Sequence, residues 1–515
     1  MRSEYAPAFF GELYPALQQL KSAFDPHNQF NPGKIATPAE AKTPLLKVDG
    51  VPLRGEQDRQ IDERVWQSFG AAMHCNGNGA CYNFDPDDAM CPSWKATRER
   101  VHSPKGRASL LREWLRLQGA AGVDVLQAAA AKPAFVSSLA TRWRNSRAAD
   151  RGEADFSHEV YAAMSGCLAC KSCAGQCPVK VNVPDFRARF LELYHQRYLR
   201  PLRDYLIGSL EMTMPWMARM PAVYNGLMGA GWVRRLLQKH IGMVDSPLLS
   251  QFDLQAVLTR WNVQPAQAQA LQALSQEQRA RSVVIVQDTF TRYFDPEPLA
   301  ALIELAARLG YQVWLAPLNP NGKPLHVQGF LGAFAQAAIR NARELSALAA
   351  FDIPLVGLDP AMTLTYRQEY QKVAGIGSVP QVALPQEWLL QALPEALPAQ
   401  ADSPLFTLMP HCTESTNVPD SSNQWVQVFA RRGLKLRAQA VGCCGMSGTY
   451  GHEERNLATS KKIYAQSWER KLPAEAAAEV SLATGYSCRS QVKRLSERQL
   501  RHPVQALLEQ LRAAA

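Results

Sequence analysis

The spacing of hydrophobic and polar residues changes character near residue 281. From Trp66 to about Arg200, apolar positions recur every three or four residues, as in GRASLLREWLRLQ and PDFRARFLELYHQRYL, which predicts amphipathic helices. Beyond Arg281, short β-branched runs alternate with helical stretches, as in SVVIVQD, PEPLAALIELAARLG and YQVWLAP. Strands that alternate with helices predict parallel βαβ units.

The alternating pattern occurs twice. The second copy carries the strand-like runs LFTLMPH, LKLRAQAVG and AEVSLAT. The sequence therefore predicts a multidomain chain, with a helical domain followed by two tandem α/β repeats. The predicted boundaries are a tail at 1–36, a linker at 37–65, the helical domain at 66–200, a helical connector at 201–280, the repeats at 281–380 and 405–515, and a linker at 381–404.

Composition narrows the class of protein. The 515 residues are too many for one core, and 47% hydrophobic with 20% charged residues is typical of globular proteins. The N-terminus lacks the pattern of a signal peptide, which predicts a cytoplasmic protein. The most apolar stretch, 205–237, is interrupted by charges and prolines, and it leaves open a peripheral contact with the inner face of the cytoplasmic membrane. Despite the net charge of +10, no nucleic-acid-binding module is recognisable, so no nucleic-acid partner is expected.

The segment SGCLACKSCAGQCPVKVNVP holds the strongest chemical signal. Its cysteines follow the spacing C-x2-C-x2-C-x3-C-P, at Cys167, Cys170, Cys173 and Cys177. Thiolates at this spacing hold iron–sulfur clusters, and in two-cluster ferredoxins the last cysteine binds the other cluster. The motif predicts iron–sulfur ligation and electron transfer.

An earlier segment resembles half of the same motif with one ligand missing. In HCNGNGACYNFDPDDAMCPSW the cysteines are Cys75, Cys81 and Cys91, and Asn78 stands where a middle cysteine belongs. Two arrangements stay open. In the first, Cys91 joins Cys167, Cys170 and Cys173 around a [4Fe–4S] cluster, while Cys177 joins Cys75 and Cys81 around a second cluster, [3Fe–4S] or [4Fe–4S], or around none. In the second, the four later cysteines surround a single cluster.

The second α/β copy carries four further cysteines at the ends of its strands: Cys412, Cys443, Cys444 and Cys488. Ligands of open α/β sheets bind at that edge. A metal site, a further cluster and a redox thiol pair are the alternatives. The first copy has no cysteine, and at the matching places it carries Asp288, NPNG and GLDPAM. We therefore expect the first copy to serve as a scaffold.

These motifs together resemble a known family of flavin and iron–sulfur fusion enzymes. GELYPALQQLKSAFDPHNQFNPGK is similar to the end of the C-terminal domain of FAD-linked oxidases. Residues 66–200 resemble the helical ferredoxin domain of the glycolate oxidase iron–sulfur subunit, and the α/β copies resemble paired cysteine-rich (CCG) domains. The order of the parts is similar to the C-terminal half of bacterial D-2-hydroxyacid dehydrogenases of the D-2-hydroxyglutarate type.

The resemblance implies an α-helical ferredoxin-like domain followed by two CCG-type repeats. It implies that FAD is held by an N-terminal half absent from this sequence, joined in cis or as a subunit, and that Asn31 lies near that flavin. The chain departs from the family at GYSC, where Gly485 replaces the first cysteine of a closing C-x-x-C.

The expected function is the iron–sulfur electron-transfer part of a FAD-dependent D-2-hydroxyacid dehydrogenase. In this interpretation electrons pass from flavin to a quinone or a carrier protein, and the chain alone lacks the FAD and substrate site. The alternatives are a subunit whose cluster is structural and a thiol redox protein resembling heterodisulfide reductase. A homo-oligomer is also expected.

Overall fold

The computed structural model describes residues 3–47, 54–131, 135–377, 379–394, 404–473 and 479–513. Parts of both predicted linkers, 48–53 and 395–403, lie outside the described residues. The chain divides into two compact units. The first comprises residues 1–66 and 115–123, and the second comprises 67–114 and 124–515.

The chain up to residue 200 forms helices and short 3-10 turns. The helices are α1 Ala6–Phe10, α2 Tyr14–Phe24, α3 Arg54–Asp58, α4 Glu63–Ser68, α5 Gly70–Met73, α6 Pro92–Thr97, α7 Pro104–Ala120, α8 Val125–Ala130, α9 Phe135–Asp150, α10 Ser157–Ser165, α11 Ser172–Gln176 and α12 Val183–Arg197. Turns of 3-10 helix lie at Ser3–Tyr5, Gly11–Leu13, Ala80–Tyr82 and Arg100–His102. Caps follow their usual chemistry, since the Asn182 side chain accepts from the Asp185 N–H at the start of α12.

Three helices follow: α13 Leu202–Met217, α14 Pro221–Gly229 and α15 Gly231–Ile241. Helix α13 tolerates Pro215 near its end and buries one face, including Ile207 and Met214. Helix α15 ends at Gly242, whose φ of +73° is the left-handed geometry that glycine adopts at low cost. Within the described residues, no helix has both the length and the apolar character needed to cross a bilayer.

The first sheet contains β1 Gln264–Pro265, β2 Ser282–Val286, β3 Gln312–Leu315 and β4 Leu355–Gly357, all parallel in the order β1-β3-β2-β4. Strand β2 is central and buried throughout, as its run of Val and Ile residues requires. The helices of this part are α16 Leu254–Arg260, α17 Ala268–Gln272, α18 Gln276–Ala280, α19 Thr289–Tyr293, α20 Glu297–Arg308, α21 Lys323–Val327, α22 Leu331–Ala349, α23 Pro360–Gln368 and α24 Pro385–Ala392, with a 3-10 turn at Tyr370–Lys372.

The second sheet contains β5 Leu405–Met409, β6 Lys435–Ala438 and β7 Glu479–Ala483, parallel in the order β6-β5-β7. Its helices are α25 Cys412–Asn417, α26 Ser421–Arg431, α27 Glu454–Gln466, α28 Tyr486–Ser496 and α29 Pro503–Ala513. Turns of 3-10 helix lie at Tyr450–His452 and Glu469–Lys471.

One hydrophobic core joins the two sheets. Ile285 of β2 and Phe406 of β5 belong to the same cluster of buried side chains. Helices α20 and α29 contribute Leu302 and Leu507 to it, and both side chains are almost fully buried. Because burial of apolar surface is the main force that favours folding, a shared core makes the two α/β parts one folding unit.

The cysteine-rich helical part is fixed to the same unit. The Arg187 guanidinium donates from Nε to the Met164 carbonyl at 2.9 Å and from Nη1 to the Val327 carbonyl. Gly442 lies so close to the loop before α6 that a Cβ there would be 2.1 Å from the Pro86 carbonyl oxygen. These contacts leave no gap in the packing at which a separate domain would end.

The predicted fold class is therefore wrong. The chain does not form a helical ferredoxin-like domain followed by two separate CCG-type α/β repeats. Residues 67–114 and 124–515 form one mostly helical unit with two small parallel sheets. The sequence pattern identified the strands, but it did not reveal the core that joins them.

Candidate functional site: buried thiols, buried acids and a cavity

Four cysteines gather at the edge of the second sheet where its strands end. Cys412 begins α25 directly after β5, Cys443 and Cys444 follow β6, and Cys488 lies in the first turn of α28 after β7. All four side chains are buried. The parallel strands end at the same edge of the sheet, as the sequence predicted, and this brings the four thiols together.

The four thiols form a hydrogen-bonded chain with unequal acidities. A hydrogen bond from Cys443 lowers the pKa of the Cys412 thiol to about 7, with the nearby His411 imidazole acting in the same direction. Hydrogen bonds from Cys443 and Cys488 hold the pKa of Cys444 well below its usual value. The pKa values of the two donors, Cys443 and Cys488, are raised well above the ordinary range. The arrangement therefore favours the thiolate form at Cys412 and Cys444 and the thiol form at Cys443 and Cys488.

Gly485 has a steric role beside these thiols. A Cβ at this position would lie 2.3 Å from Cδ2 of the His411 ring. His411 caps α25, where its Nδ1 accepts the Thr413 N–H at 3.2 Å, and its Nε2 lies 3.3 Å from the Ser487 hydroxyl. The imidazole thus occupies the space that a cysteine at 485 would need, which accounts for the departure from the family pattern.

We expect Gly485→Ala to lower the free energy of unfolding by about 1–3 kcal/mol, the usual cost of an overpacked core position. Urea denaturation at neutral pH measures this change. Gly226→Ala in α14 is the matched control, because nothing lies within 4 Å of a Cβ there and alanine favours the helix. Equal stabilities for the two variants would contradict the steric role of Gly485.

A second group of thiols lines a small cavity beside α6 and α12. Its cysteines are Cys91, Cys167, Cys170 and Cys173, the grouping that the first of the two predicted arrangements requires. The loop between them uses left-handed backbone at two non-glycine residues, Ala169 with φ of +54° and Lys171 with φ of +61°. Such strained positions are held by surrounding contacts and commonly occur at functional sites.

Arg107 is a buried cation that lines this cavity. It is 1% exposed, and its guanidinium lies 3.9 Å from Cys91 Sγ. The same side chain donates to the Ala163 carbonyl at 2.8 Å and to the Ser93 hydroxyl at 3.1 Å, which fixes its position.

A third group contains Cys75, Cys81 and Cys177, which line a neighbouring cavity together with Asn78 and Lys105. Cys177 thus lines the same cavity as Cys75 and Cys81 of the early segment, while Cys91 of that segment lines the cavity of the later cysteines. His74, next to Cys75, is exposed.

The predicted cofactors need correction despite this grouping. Among the side chains that the structure describes, no three His, Cys, Asp or Glu residues form a group able to hold a metal ion. Burial raises the pKa of Cys81, Cys91 and Cys173. The prediction of one [4Fe–4S] cluster, or of two with [3Fe–4S] or [4Fe–4S] as the second, is therefore wrong, and no metal is assigned to these cysteines.

The thiols that line the cavity beside α6 and α12 are contiguous with the thiols at the edge of the second sheet. Cys412 and Cys443 belong to one buried cluster with Leu168, and the partly buried Cys170 packs against it. The Thr413 hydroxyl donates to the Cys170 carbonyl at 3.0 Å. Burial, and then the charge of Cys412, raises the pKa of Cys170. The helical loop and the second sheet therefore share one thiol-rich region.

Buried acidic residues lie at the strand ends of the first sheet, at the places where the second sheet carries thiols. Asp288 follows β2 and Asp359 follows β4, and each caps the next helix. Glu211 reaches in from α13 and accepts the N–H groups of Asn321 at 3.1 Å and Gly322 at 2.7 Å. Burial raises the pKa of Glu211 to about 7, and burial together with the charge of Asp359 raises the pKa of Asp288 to about 7. The sequence showed both aspartates but gave no sign that Glu211 faces them.

A cavity of about 120 Å³ lies between the cysteine loop and the two sheets. Cys167 and His411 line it on the side of the thiols, and Asp359 lines it on the side of the acids. The apolar wall includes Ile207 and Leu210 of α13. A mostly apolar cavity with a few polar groups is the usual form of a small-molecule site.

Asn31 lies in the first unit, in the turn after α2. Asp25 organises this turn, because its carboxylate accepts from Lys21 Nζ at 2.6 Å and from the Phe30 N–H at 2.9 Å. Asn31 is exposed and has a φ of +49°. Its side chain is therefore held at the surface of the first unit.

Comparison with known proteins finds one family model that matches the N-terminal residues and several relatives that are named as dehydrogenases. The family described as FAD linked oxidases, C-terminal domain, matches residues 1–35. The D-2-hydroxyglutarate dehydrogenases of Pseudomonas putida and Escherichia coli are 66% and 50% identical to it over 509 and 517 residues, which is 99% of this chain and 50% of each relative. The chain therefore spans about half the length of the curated relatives it matches.

A more distant relative is one of the subunits of the anaerobic glycerol-3-phosphate dehydrogenase of Escherichia coli. It is 24% identical over 344 residues, which is 65% of this chain and 83% of the relative. No solved structure matches the chain.

The predicted placement of FAD is corrected by the same comparison. FAD was expected only on a half absent from this sequence, but the matching FAD-linked oxidase family falls on residues 1–35. The match to FAD-linked oxidases thus falls on residues that this chain contains.

Proposed function

We propose that the chain takes part in the FAD-linked oxidation of a D-2-hydroxyacid, with D-2-hydroxyglutarate as the substrate. The observation that carries this proposal is 66% and 50% identity, over nearly the whole chain, to two proteins named D-2-hydroxyglutarate dehydrogenase. The match of residues 1–35 to FAD linked oxidases supports the choice of cofactor.

The first unit offers a surface suited to one edge of a flavin pocket. Its α1 and α2 region exposes large apolar side chains that folding within this unit does not bury: Phe9 is 82% exposed, Phe24 81% and Phe30 69%. Such a contiguous apolar surface marks an interaction site. Asn31 follows directly after Phe30 and would offer an amide to the flavin beside that apolar surface. A bound flavin supplies the acceptor for the hydride that leaves substrate C2.

The remaining step of the proposed function is delivery of electrons to an acceptor, a quinone or a carrier protein. The second unit is suited to this task because buried thiols, buried acids and a cavity lie together in it. In this proposal the substrate is oxidised beside the first unit, and the second unit serves the acceptor.

Disruption of the gene that encodes this chain, in its own organism, tests the proposal. The test gives the same answer whether the natural protein is longer than this chain or not. Extracts of the disrupted strain are expected to lose dye reduction that depends on D-2-hydroxyglutarate, and the intact gene is expected to restore it. D-lactate and L-2-hydroxyglutarate, assayed in parallel, define the substrate class. An unchanged rate with D-2-hydroxyglutarate would refute the proposed function.

Asn31→Ala, introduced at the same locus, is expected to lower the rate about tenfold, as the loss of about 1.4 kcal/mol of interaction would. The rate of dye reduction at saturating substrate measures the effect. Asn262→Ala is the matched control, since Asn262 is also an exposed asparagine in left-handed backbone, with a φ of +48°. Equal losses in both variants would show that Asn31 acts only through local backbone structure.

A second candidate function is thiol redox transfer at the edge of the second sheet. The hydrogen-bonded chain of Cys412, Cys443, Cys444 and Cys488 favours it, because thiolates poised beside thiols are typical of redox cysteines. A disulfide between two of these residues would take up two electrons and two protons from reduced flavin to give two thiols, and the acceptor would reverse the step.

Cys443→Ala distinguishes this candidate. Transfer to the natural acceptor is expected to stop if the thiols carry the electrons, while dye reduction continues. Cys75→Ala, in the third thiol group, is the control. Full transfer by the Cys443 variant would rule out thiol redox transfer and leave the dehydrogenase proposal intact.

A further inference from the structure

The cavity beside α13 has the size of one planar ring. Its volume of about 120 Å³ is near the roughly 150 Å³ of an apolar cavity that takes up benzene. Apolar side chains from separate parts of the chain form its wall, including Ile207, Leu210, Phe290 and Met362. Such a cavity suits a flat, uncharged ring better than a charged metabolite.

Polar groups reach this cavity from both α/β parts. Lys323, from the first part, is held by the Ala361 carbonyl at 2.9 Å. His411 and Tyr450, from the second part, also line the cavity, and both side chains are buried. Donors of this kind suit carbonyl oxygens on the edge of a ring.

The helix that lines the cavity also carries an exposed apolar surface. Ile207 and Leu210 of α13 face the cavity, while large apolar side chains of α13–α15 are exposed. We call these exposed residues the apolar surface: Leu202, Tyr205, Leu206, Met212, Trp216, Met217, Met220, Val223, Leu227, Trp232 and Leu236. Contiguous exposed apolar residues of this extent mark a site of interaction.

The charges around the apolar surface indicate what kind of partner it binds. Between Leu202 and Ile241 the exposed charged side chains are all basic: Arg219, Arg234, Arg235 and Lys239. The two acids of this stretch, Asp204 and Glu211, are buried. Exposed tryptophans with basic neighbours and no exposed acid match an anionic lipid surface, where each basic residue contributes about 1 kcal/mol.

We propose that α13–α15 rest on an anionic bilayer and that the cavity behind α13 binds the headgroup of a lipid-soluble quinone. The proposal rests on the proposed function, which needs an acceptor. Oxidation of a 2-hydroxyacid to a 2-oxoacid releases two electrons and two protons, and one quinone becomes one quinol by taking up both. A carrier protein would not enter a cavity of this size, whereas a quinone in the bilayer would.

Quinone binding can be measured without any substrate, so its outcome is independent of hydroxyacid oxidation. Decylubiquinone is expected to quench the tryptophan fluorescence of the protein in a saturable manner. Ala361→Phe places a ring in the cavity and is expected to weaken binding about tenfold or more. Ala347→Phe, at an exposed position of α22, is the control.

Leu210→Trp is a second cavity-filling variant in case Ala361→Phe does not fold. Saturable binding that both fillings weaken supports the site. No saturable quenching by the unchanged protein, or unchanged binding in a folded filled variant, would overturn it. Loss of D-2-hydroxyglutarate oxidation with intact quinone binding would instead reject only the proposed function.

Flotation tests the lipid contact. The protein is expected to float with vesicles containing about 30% phosphatidylglycerol and to be released at high salt, since screening weakens attraction to anionic lipids. Trp216→Glu with Trp232→Glu should reduce the floated fraction about tenfold or more. Trp143→Glu is a close control, because Trp143 is 53% exposed and lies under Arg147 as Trp216 lies under Arg219. Flotation that the double variant leaves unchanged would refute bilayer contact by α13–α15.

Discussion

Replacement of Glu369 by glutamine is expected to lower the free energy of unfolding by about 3–5 kcal/mol, the cost of leaving a buried charge without its partner. Glu369 is 5% exposed, and its carboxylate lies 2.5 Å from Lys171 Nζ and 3.9 Å from Lys323 Nζ. Burial alone would raise the pKa of Glu369, but the charges of Lys171 and Lys323 hold it at about 2. The carboxylate is therefore ionised at neutral pH and neutralises two cations.

The position of Lys171 gives this pair its importance. Lys171 lies between Cys170 and Cys173, and its ammonium also donates to Gln368 Oε1 at 2.8 Å. The ion pair therefore ties the cysteine loop to the end of α23. Without the carboxylate, the buried ammonium must lose its proton or pull the loop toward water.

Urea denaturation of Glu369→Gln measures the loss, and Glu509→Gln supplies the control. Glu509 pairs with Arg501 at the surface, where such pairs contribute about 0–1 kcal/mol. Lys171→Met together with Glu369→Gln should recover part of the stability, since Lys171 then no longer leaves a buried unpaired charge and only the more exposed Lys323 lacks its acidic partner. A cost below about 1 kcal/mol for Glu369→Gln would contradict a structural role for the pair.

Glu211→Gln is expected to change how stability depends on pH. Burial raises the pKa of Glu211 from its usual value of 4.5 to about 7 in the folded protein. The folded state therefore holds this proton more tightly than the unfolded state, and the contribution of Glu211 to stability falls as the pH rises from about 4.5 to about 7. A shift of this size corresponds to about 3 kcal/mol.

Glutamine has no proton to lose, so the variant lacks this decline. The free energy of unfolding of Glu211→Gln, taken relative to that of the unchanged protein, should therefore be about 3 kcal/mol larger at pH 8 than at pH 4.5. Urea denaturation at both pH values measures the difference, and Glu469→Gln at an exposed position is the control. A stability difference between variant and parent that does not change with pH would show that the Glu211 pKa is not raised.

The sequence pattern predicted the local elements well where the period was clear. The run SVVIVQD contains β2, YQVWLAP contains β3, and LFTLMPH contains β5. Strands β1 and β4 have only two and three residues, too few to show a period.

The fold class could not be read from the same pattern. A repeat of strand and helix shows which faces are apolar, but it does not show which apolar faces meet. Ile285 and Phe406 lie in one cluster although they are far apart in the chain, and the linker between the repeats gave no sign of it. The cofactor prediction failed for a related reason, because spacing along the chain identifies candidate ligands but does not show whether the fold brings them into one group able to hold a metal ion.

The amino-acid sequence by itself determined the longer helices and strands, the spacing of the eleven cysteines, and the positions of thiols and acids at strand ends. These features depend on residues near one another in the chain. The tertiary structure decided that the two sheets share a core, that Glu211 faces Asp288 in a buried setting, and that a cavity forms behind α13. Burial, charge pairing and cavities arise between distant segments, so only packing fixes them.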